Sequence, residues 1–354
     1  VSSPPNQYLR WEKTTNWNGG LDVAVLGNRI AFTADVYRRV SDDLIGMRSL
    51  PGENGFDYST MNWAKLTNRG YELSLSTVNV KTKDFRWVMD FNLAHNKSKI
   101  NRLNVRDNSY EPSREGYSVG AVFSLKTAGL DENGLQMFYN KQGEKVSFND
   151  FFGLEYGYMM GGLIPFLKSN LSAEEYRNLF TYEGTTEPKF TGGWINRVYY
   201  KNFDLTVSAS FVLDQTVQEQ PFYNPVQTSP GQNYSRRMSQ IWSPDNTSGK
   251  YPRIMGTYTE GEENWAYQWL GMLDPGNSYR KYDYWFKKMS YMRINSIRLG
   301  YTFPERLLGH IGFSSARISF EARNPFVFGS SYKGYFDPET YGNIYTQPLA
   351  KTFS

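Results

Sequence analysis

The chain contains no cysteine, which removes disulfide frameworks and thiolate metal sites from consideration. It holds two histidines, His95 and His310, and neither stands at a triad or metal-ligand spacing from a partner. No run approaches about 18 consecutive apolar residues, so a transmembrane helix is excluded. The net charge of +4 is spread along the sequence without a basic block, which argues against nucleic acid as a partner. Val1 to Arg10 lacks the apolar segment of a secretory signal.

The mean hydropathy of −0.61 does not argue against a membrane. Strands that alternate apolar and polar residues cancel on any averaging scale. Alternation of this kind is what the chain has. Ile30, Phe32, Ala34 and Val36 share one face of a run whose other face carries Ala31, Thr33, Asp35 and Tyr37. Phe203, Leu205, Val207, Ala209, Phe211 and Leu213 alternate with Asp204, Thr206, Ser208 and Ser210. A period of two means strands with one apolar face. Aromatic residues make up 17% of the chain, as in barrels with aromatic belts at both membrane interfaces.

Eight strands are expected, at 16–25, 29–39, 69–79, 85–97, 191–200, 203–213, 290–302 and 315–326, with the start of another at 347–354. The apolar phase slips between Ile294 and Ile297, predicting a bulge near Asn295-Ser296. Residues 119–127 also read as a strand, which then needs an odd partner at Leu135 to Lys141. Connections at 26–28, 81–84 and 201–202 are tight, and the one at 303–314 is modest. The opposite set, at 40–68, 98–118 and 214–289, is long. Short turns on one side and long loops on the other are the habit of outer-membrane barrels. A soluble β-sandwich also alternates around a buried face, but long structureless loops count against a compact soluble domain. The expected fold is therefore all-β, an antiparallel transmembrane barrel portion of about ten strands.

Several blocks resemble the SusC/RagA-like TonB-dependent transporters of the Gram-negative outer membrane. They are Trp11-Glu12-Lys13-Thr14-Thr15 leading to Gly20-Leu21-Asp22, Asn68-Arg69-Gly70-Tyr71-Glu72-Leu73, Asn96-Lys97-Ser98-Lys99-Ile100 and Lys201-Asn202-Phe203-Asp204-Leu205. Asp283-Tyr284-Trp285, Ser290-Tyr291-Met292-Arg293, Leu299-Gly300-Tyr301, Asn324-Pro325-Phe326 and Asp337-Pro338-Glu339 continue the series. The resemblance covers 1–100, 188–213 and 282–354, and is poor over 101–187 and 214–281. It implies a larger barrel of about 22 strands, a plug domain and a TonB-binding segment. Neither of these two is recognisable in 1–354, which reads as the C-terminal portion of such a barrel. It further implies import of oligosaccharides or peptides, a SusD-like surface lipoprotein, TonB acting through the plug, and contact with the lipid bilayer and lipopolysaccharide. Two other readings stay open at this point: a passive or structural barrel in a secretion or adhesion assembly, and a soluble β-rich glycan-binding or hydrolase module.

No enzyme, cofactor or metal site is expected. The carboxylates Asp35, Glu72, Asp90, Asp204 and Glu321 alternate with Arg and Asn as a hydrated lumen wall requires, and Arg317 and Arg323 belong to the same lining. Asp131-Glu132-Asn133-Gly134 begins like a calcium loop but has Leu135 at a ligand position and no closing glutamate. The segment 222–285 is rich in aromatic residues, including Phe222, Tyr223, Tyr251 and Tyr284. Such rings stack on sugars and hold cations such as Arg237, or else pack the loop against itself. The candidate substrate contacts are Trp242, Trp265, Tyr267, Trp269, Arg236 and Arg253.

Overall fold

The computed structural model describes residues 3–50, 53, 55–56, 58–103, 111–159, 162–169, 171–225, 231–254, 278–309, 313–329, 337–339 and 349–354. Its main feature is a nine-stranded antiparallel sheet, the wall. Along the chain the wall strands are β1 (Lys13–Val25), β2 (Ile30–Ser49), β3 (Tyr58–Lys81) and β4 (Phe85–Arg102). After a long excursion come β12 (Phe190–Tyr200), β13 (Phe203–Gln218), β14 (Phe286–Thr302), β15 (Arg317–Phe328) and the short β16 (Thr352–Phe353). The order β1-β2-β3-β4-β12-β13-β14-β15-β16 runs up and down without a crossover. Among the described residues the sheet does not close, so β1 and β16 each keep one unpaired edge.

Register places the two faces unambiguously. One row reads Val23, Phe32, Leu75, Phe91, Trp194, Ala209, Ile294, Phe326 across eight strands. The adjacent row on the other face reads Asp22, Thr33, Ser74, Asn92, Gly193, Ser210. Among the described residues nothing covers the apolar face: Trp17 is 71%, Ile318 64% and Phe320 53% exposed. An apolar surface of that breadth belongs against lipid rather than water.

Three expectations are corrected. The stretch 40–68 is mostly strand: β2 runs to Ser49 and β3 begins at Tyr58. Here apolar and polar residues mix on both faces, and side chains that clasp the backbone reinforce the strand pairing. Asn62 donates to Arg10 O (2.8 Å) and Asp43 O (2.6 Å), Glu12 accepts from Ile45 N (2.8 Å), and Lys65 pairs with Asp42 (2.7 Å). At 24 residues, β3 is more than twice the roughly 9–11 that cross a bilayer, so the wall stands well clear of the lipid. Second, 119–127 is not a wall strand, because β4 pairs directly with β12. Third, Leu135 to Lys141 supplies no wall partner; its β segment joins a small separate sheet. The bulge is where the phase slip put it: Ser208 faces Ser296 and Ala209 faces Ile294, leaving Asn295 as the extra residue.

The excursion between β4 and β12 builds a module at the long-loop end. It contains β5 (Ala121–Ser124), β6 (Thr127–Leu130), β7 (Gln136–Tyr139), β8 (Lys145–Val146), α1 (Phe148–Phe152), β9 (Leu154–Met159), β10 (Gly162–Ser169), α2 (Ala173–Arg177) and β11 (Thr181–Thr185). β5 pairs with β11, β6-β7-β8 form a three-stranded sheet, and β9 pairs with β10. At the short-turn end, β14 and β15 are joined through a single helical turn, α3 (Glu305–Leu308).

Candidate functional site: the polar wall and its mouth

All seven proposed lining residues stand on the polar face. Asp35 lies directly opposite Glu72. Asp90 accepts from Ser76 Oγ (2.6 Å) and is ion-paired with Arg197. Asp204 on β13 pairs with Arg317 on β15 at 2.8 Å, and Glu321 with Arg323 at 3.2 Å. The Asp204–Arg317 pair reaches over β14 at Gly300, where a Cβ would sit 2.4 Å from the guanidinium and 2.6 Å from the carboxylate. The same device recurs at Gly70. Tyr37 passes over it to donate to Asn96 Oδ1 (3.1 Å), and a Cβ there would lie 2.6 Å from the phenol oxygen and 2.2 Å from His95 O. Two glycines of the resembling blocks are thus saddles that let polar side chains couple non-adjacent strands.

At the mouth, two loops far apart in sequence share one core. Leu125, Phe138, Phe151, Phe152 and Tyr176 from the first excursion pack with Tyr223, Ile241, Tyr251, Tyr282 and Trp285 from the β13–β14 connection. Phe138 stacks on Phe151 (4.4 Å) and meets Tyr282 edge-on (5.2 Å), and Tyr251 stacks on Trp285 (5.4 Å). Leu125 N donates to Lys281 O (2.7 Å) and Asp283 N to Leu125 O (3.1 Å), stitching the loops together. Buried Ser98 on β4 moors the module to the wall: its Oγ lies 2.6 Å from the Glu187 carboxylate and accepts from Val119 N (3.0 Å).

Among the described residues, the buried rings of the aromatic loop therefore pack against one another and against the first excursion. Arg237 is its cation. The guanidinium lies over Phe222 (4.5 Å), donates to the Tyr251 hydroxyl (2.8 Å) and pairs with Glu219. Burial works against its charge, but Tyr251 and Glu219 outweigh that and hold its pKa above the usual guanidinium value.

Of the candidate substrate contacts, the half-buried Trp242 presses its ring against Gly134, and Arg236 is exposed on a 3-10 turn. Arg253 is half-buried, with its N–H on Gly134 O (3.0 Å). Trp265, Tyr267, Trp269 and His310 lie outside the described residues. Sequence reading missed an exposed aromatic triad: Tyr117 lies 4.8 Å from Tyr182 and 5.1 Å from Phe123, with the two tyrosines 40% and 43% exposed. Only the β5–β11 pairing unites them, so no local pattern signals the group.

Asp131 is spent on its own turn, accepting from Asn133 N (2.9 Å) and Leu135 N (2.7 Å). No cluster of three or more His, Asp or Glu able to hold a metal occurs among the described residues. His95 is an outward-facing member of β4, within hydrogen-bonding distance of Lys189 O (2.5 Å) and set between Tyr71 and Phe190.

Residues 1–158 match the family model described as TonB dependent receptor-like, beta-barrel. TonB-dependent receptor P3 of Formosa agariphila is 28% identical over 94% of this chain and 31% of its own length. TonB-dependent receptor SusC of Bacteroides thetaiotaomicron is 27% identical over 99% of this chain and 32% of its own length. The chain is a SusC/RagA-like TonB-dependent receptor barrel sequence. Its fold also matches the RagAB peptide transporter, with a TM-score of 0.66 at 21% identity over 94% of this chain and 34% of that one. The SusC/RagA-like sheet belongs in the outer membrane, with the bare apolar face toward lipid. The chain spans about a third of the length of the curated relatives it matches, and those relatives are named as receptors, not enzymes.

Proposed function

We propose that this SusC/RagA-like chain is the later, C-terminal part of the barrel of an active outer-membrane importer for oligosaccharides or peptides. The observation that carries the reading is one sheet with a lipid-type face, a charged and hydrogen-bonded polar face, and two open edges. Open edges in lipid leave backbone groups unsatisfied, so further strands complete the wall. A plug domain within the completed barrel transmits the pull of TonB, and a SusD-like lipoprotein closes the mouth. In this arrangement Asp35, Glu72, Asp90, Asp204, Arg317, Glu321 and Arg323 line the lumen and keep it hydrated, all but Asp35 and Glu72 held in ion pairs. The mouth module supplies the rigid rim, with Trp242, Arg236, Arg253, Trp265, Tyr267 and Trp269 as its substrate contacts. Both substrate classes carry many hydrogen-bonding groups, which suits a wall of Asp, Asn, Ser and Arg. Transport here needs no covalent chemistry.

The test is growth of a strain deleted for the complete gene on defined oligosaccharides and on defined peptides as sole nutrient. Loss on one class, restored by the gene and not by a copy lacking the TonB-binding segment, is expected. Unimpaired growth on every class tested, or restoration without that segment, overturns the reading.

A further inference from the structure

The apolar band on the outward face ends, toward the long-loop side, at the row Val36, Tyr71, His95. One step further on the same face, register aligns Trp17, Arg38, Arg69 and Lys97 on four consecutive strands. Arg38 faces Arg69 directly, and Arg69 faces Lys97 directly. All three cations are exposed. The row beyond them, Thr15, Val40, Thr67, Lys99, adds another cation and no acid. The first carboxylate on this face is Asp42, which is already engaged by Lys65 (2.7 Å) and Arg102 (3.8 Å). Asp35 and Glu72 are nearby in sequence but belong to the opposite face.

Like charges placed directly opposite on neighbouring strands repel. With strands about 4.8 Å apart, three such charges fall within about 10 Å. Three aligned cations therefore offer a seat in which a multivalent anion would relieve that repulsion. Two arginine forks match phosphate oxygens bidentately, and the lysine adds a point charge. The row lies at the upper rim of the lipid-facing band, beside the 71% exposed Trp17 and just above Tyr71, where interfacial aromatics mark the headgroup level. It looks away from the polar face and the mouth module.

We propose that Arg38, Arg69 and Lys97 form a docking site for the phosphorylated headgroup of an outer-leaflet glycolipid. The proposal rests on the outer-membrane reading above. The site is continuous with the lipid-facing band, so one molecule sets its acyl chains on Leu73 and Leu93 while its phosphate meets the cations.

The experiment uses the complete transporter purified in detergent, titrated in native mass spectrometry with phosphorylated lipid A and with enzymatically dephosphorylated lipid A. The wild type is expected to prefer the phosphorylated form at least tenfold. R38Q/R69Q/K97Q is expected to lose that preference while keeping the heat-modifiable gel mobility of a folded barrel. R39Q, one residue away on the polar face, is expected to leave it intact. An undiminished preference in the triple variant, equal binding of the two lipids by the wild type, or displacement of the lipid by millimolar inorganic phosphate overturns the proposal. A wild-type protein that stays monodisperse without detergent instead overturns the outer-membrane reading on which it rests.

Discussion

Phe320 on β15 and Trp285 at the foot of β14 are both large aromatic residues, yet the molecule treats them oppositely. Phe320 is 53% exposed and stands in a row with the exposed Leu299 and Leu205, whereas Trp285 is fully buried among Phe222, Tyr251 and Tyr284. Apart from a small buried cluster of Val217, Met289 and Tyr291 on β13 and β14, the described wall has little interior of its own. Its backbone ladder fixes the geometry and lipid supplies the solvent for one face. The mouth module is a small globular protein in miniature, built from two loops around a core of stacked rings. Composition alone does not separate these uses of aromatic residues; the register of the surrounding strands does.

The contrast is open to direct attack. Trp285→Ala removes the centre of the module core and is expected to destabilise the module by about 3–5 kcal/mol. Limited proteolysis should then nick 121–185 and 231–254 while the wall stays protected; equal loss of both would mean that they are one cooperative unit. Val207→Arg puts a charge near the middle of the lipid-facing band at a cost of about 2–4 kcal/mol. Folding into vesicles should fail at lower denaturant, with no effect if that face meets water. Gly70→Ala forces a methyl onto Tyr37 and His95 O, an overpacking expected to cost about 1–3 kcal/mol and read as a lowered midpoint for wall unfolding. Asp90→Asn breaks a half-exposed pair with Arg197 and should cost under about 1 kcal/mol. A larger loss would show that the polar-face charges hold the wall together.

Much of the wall was legible because lipid on one side and water on the other force an alternation that survives in the sequence. Ile30 to Val36 and Phe203 to Leu213 are plain examples, and even the slip at Asn295 was readable as a bulge. Where the strands leave the lipid, that pressure ends. Residues 40–49 and 58–68 pair through Asn62, Glu12 and Lys65, with no apolar stripe to announce them. The module was hidden for a different reason. Phe138 and Tyr282 have no local pattern in common and meet only because β12 and β13 bring the two loops to the same end of the sheet. The polar-face charges were visible as alternating residues, but the saddles at Gly70 and Gly300 needed the register to reveal what passes over them.

The shared core of the two loops also orders events in time. Phe138 and Phe152 are separated from Tyr282 and Trp285 by the entire β12–β13 hairpin, and closing so long a loop is entropically costly until intervening pairs have formed. Loop-closure entropy therefore favours registering the hairpins before the rim condenses. A wall assembled out of register cannot bring those rings together, and leaves them as exposed, cleavable chain. Completion of the rim thus serves as an inspection of the barrel beneath it.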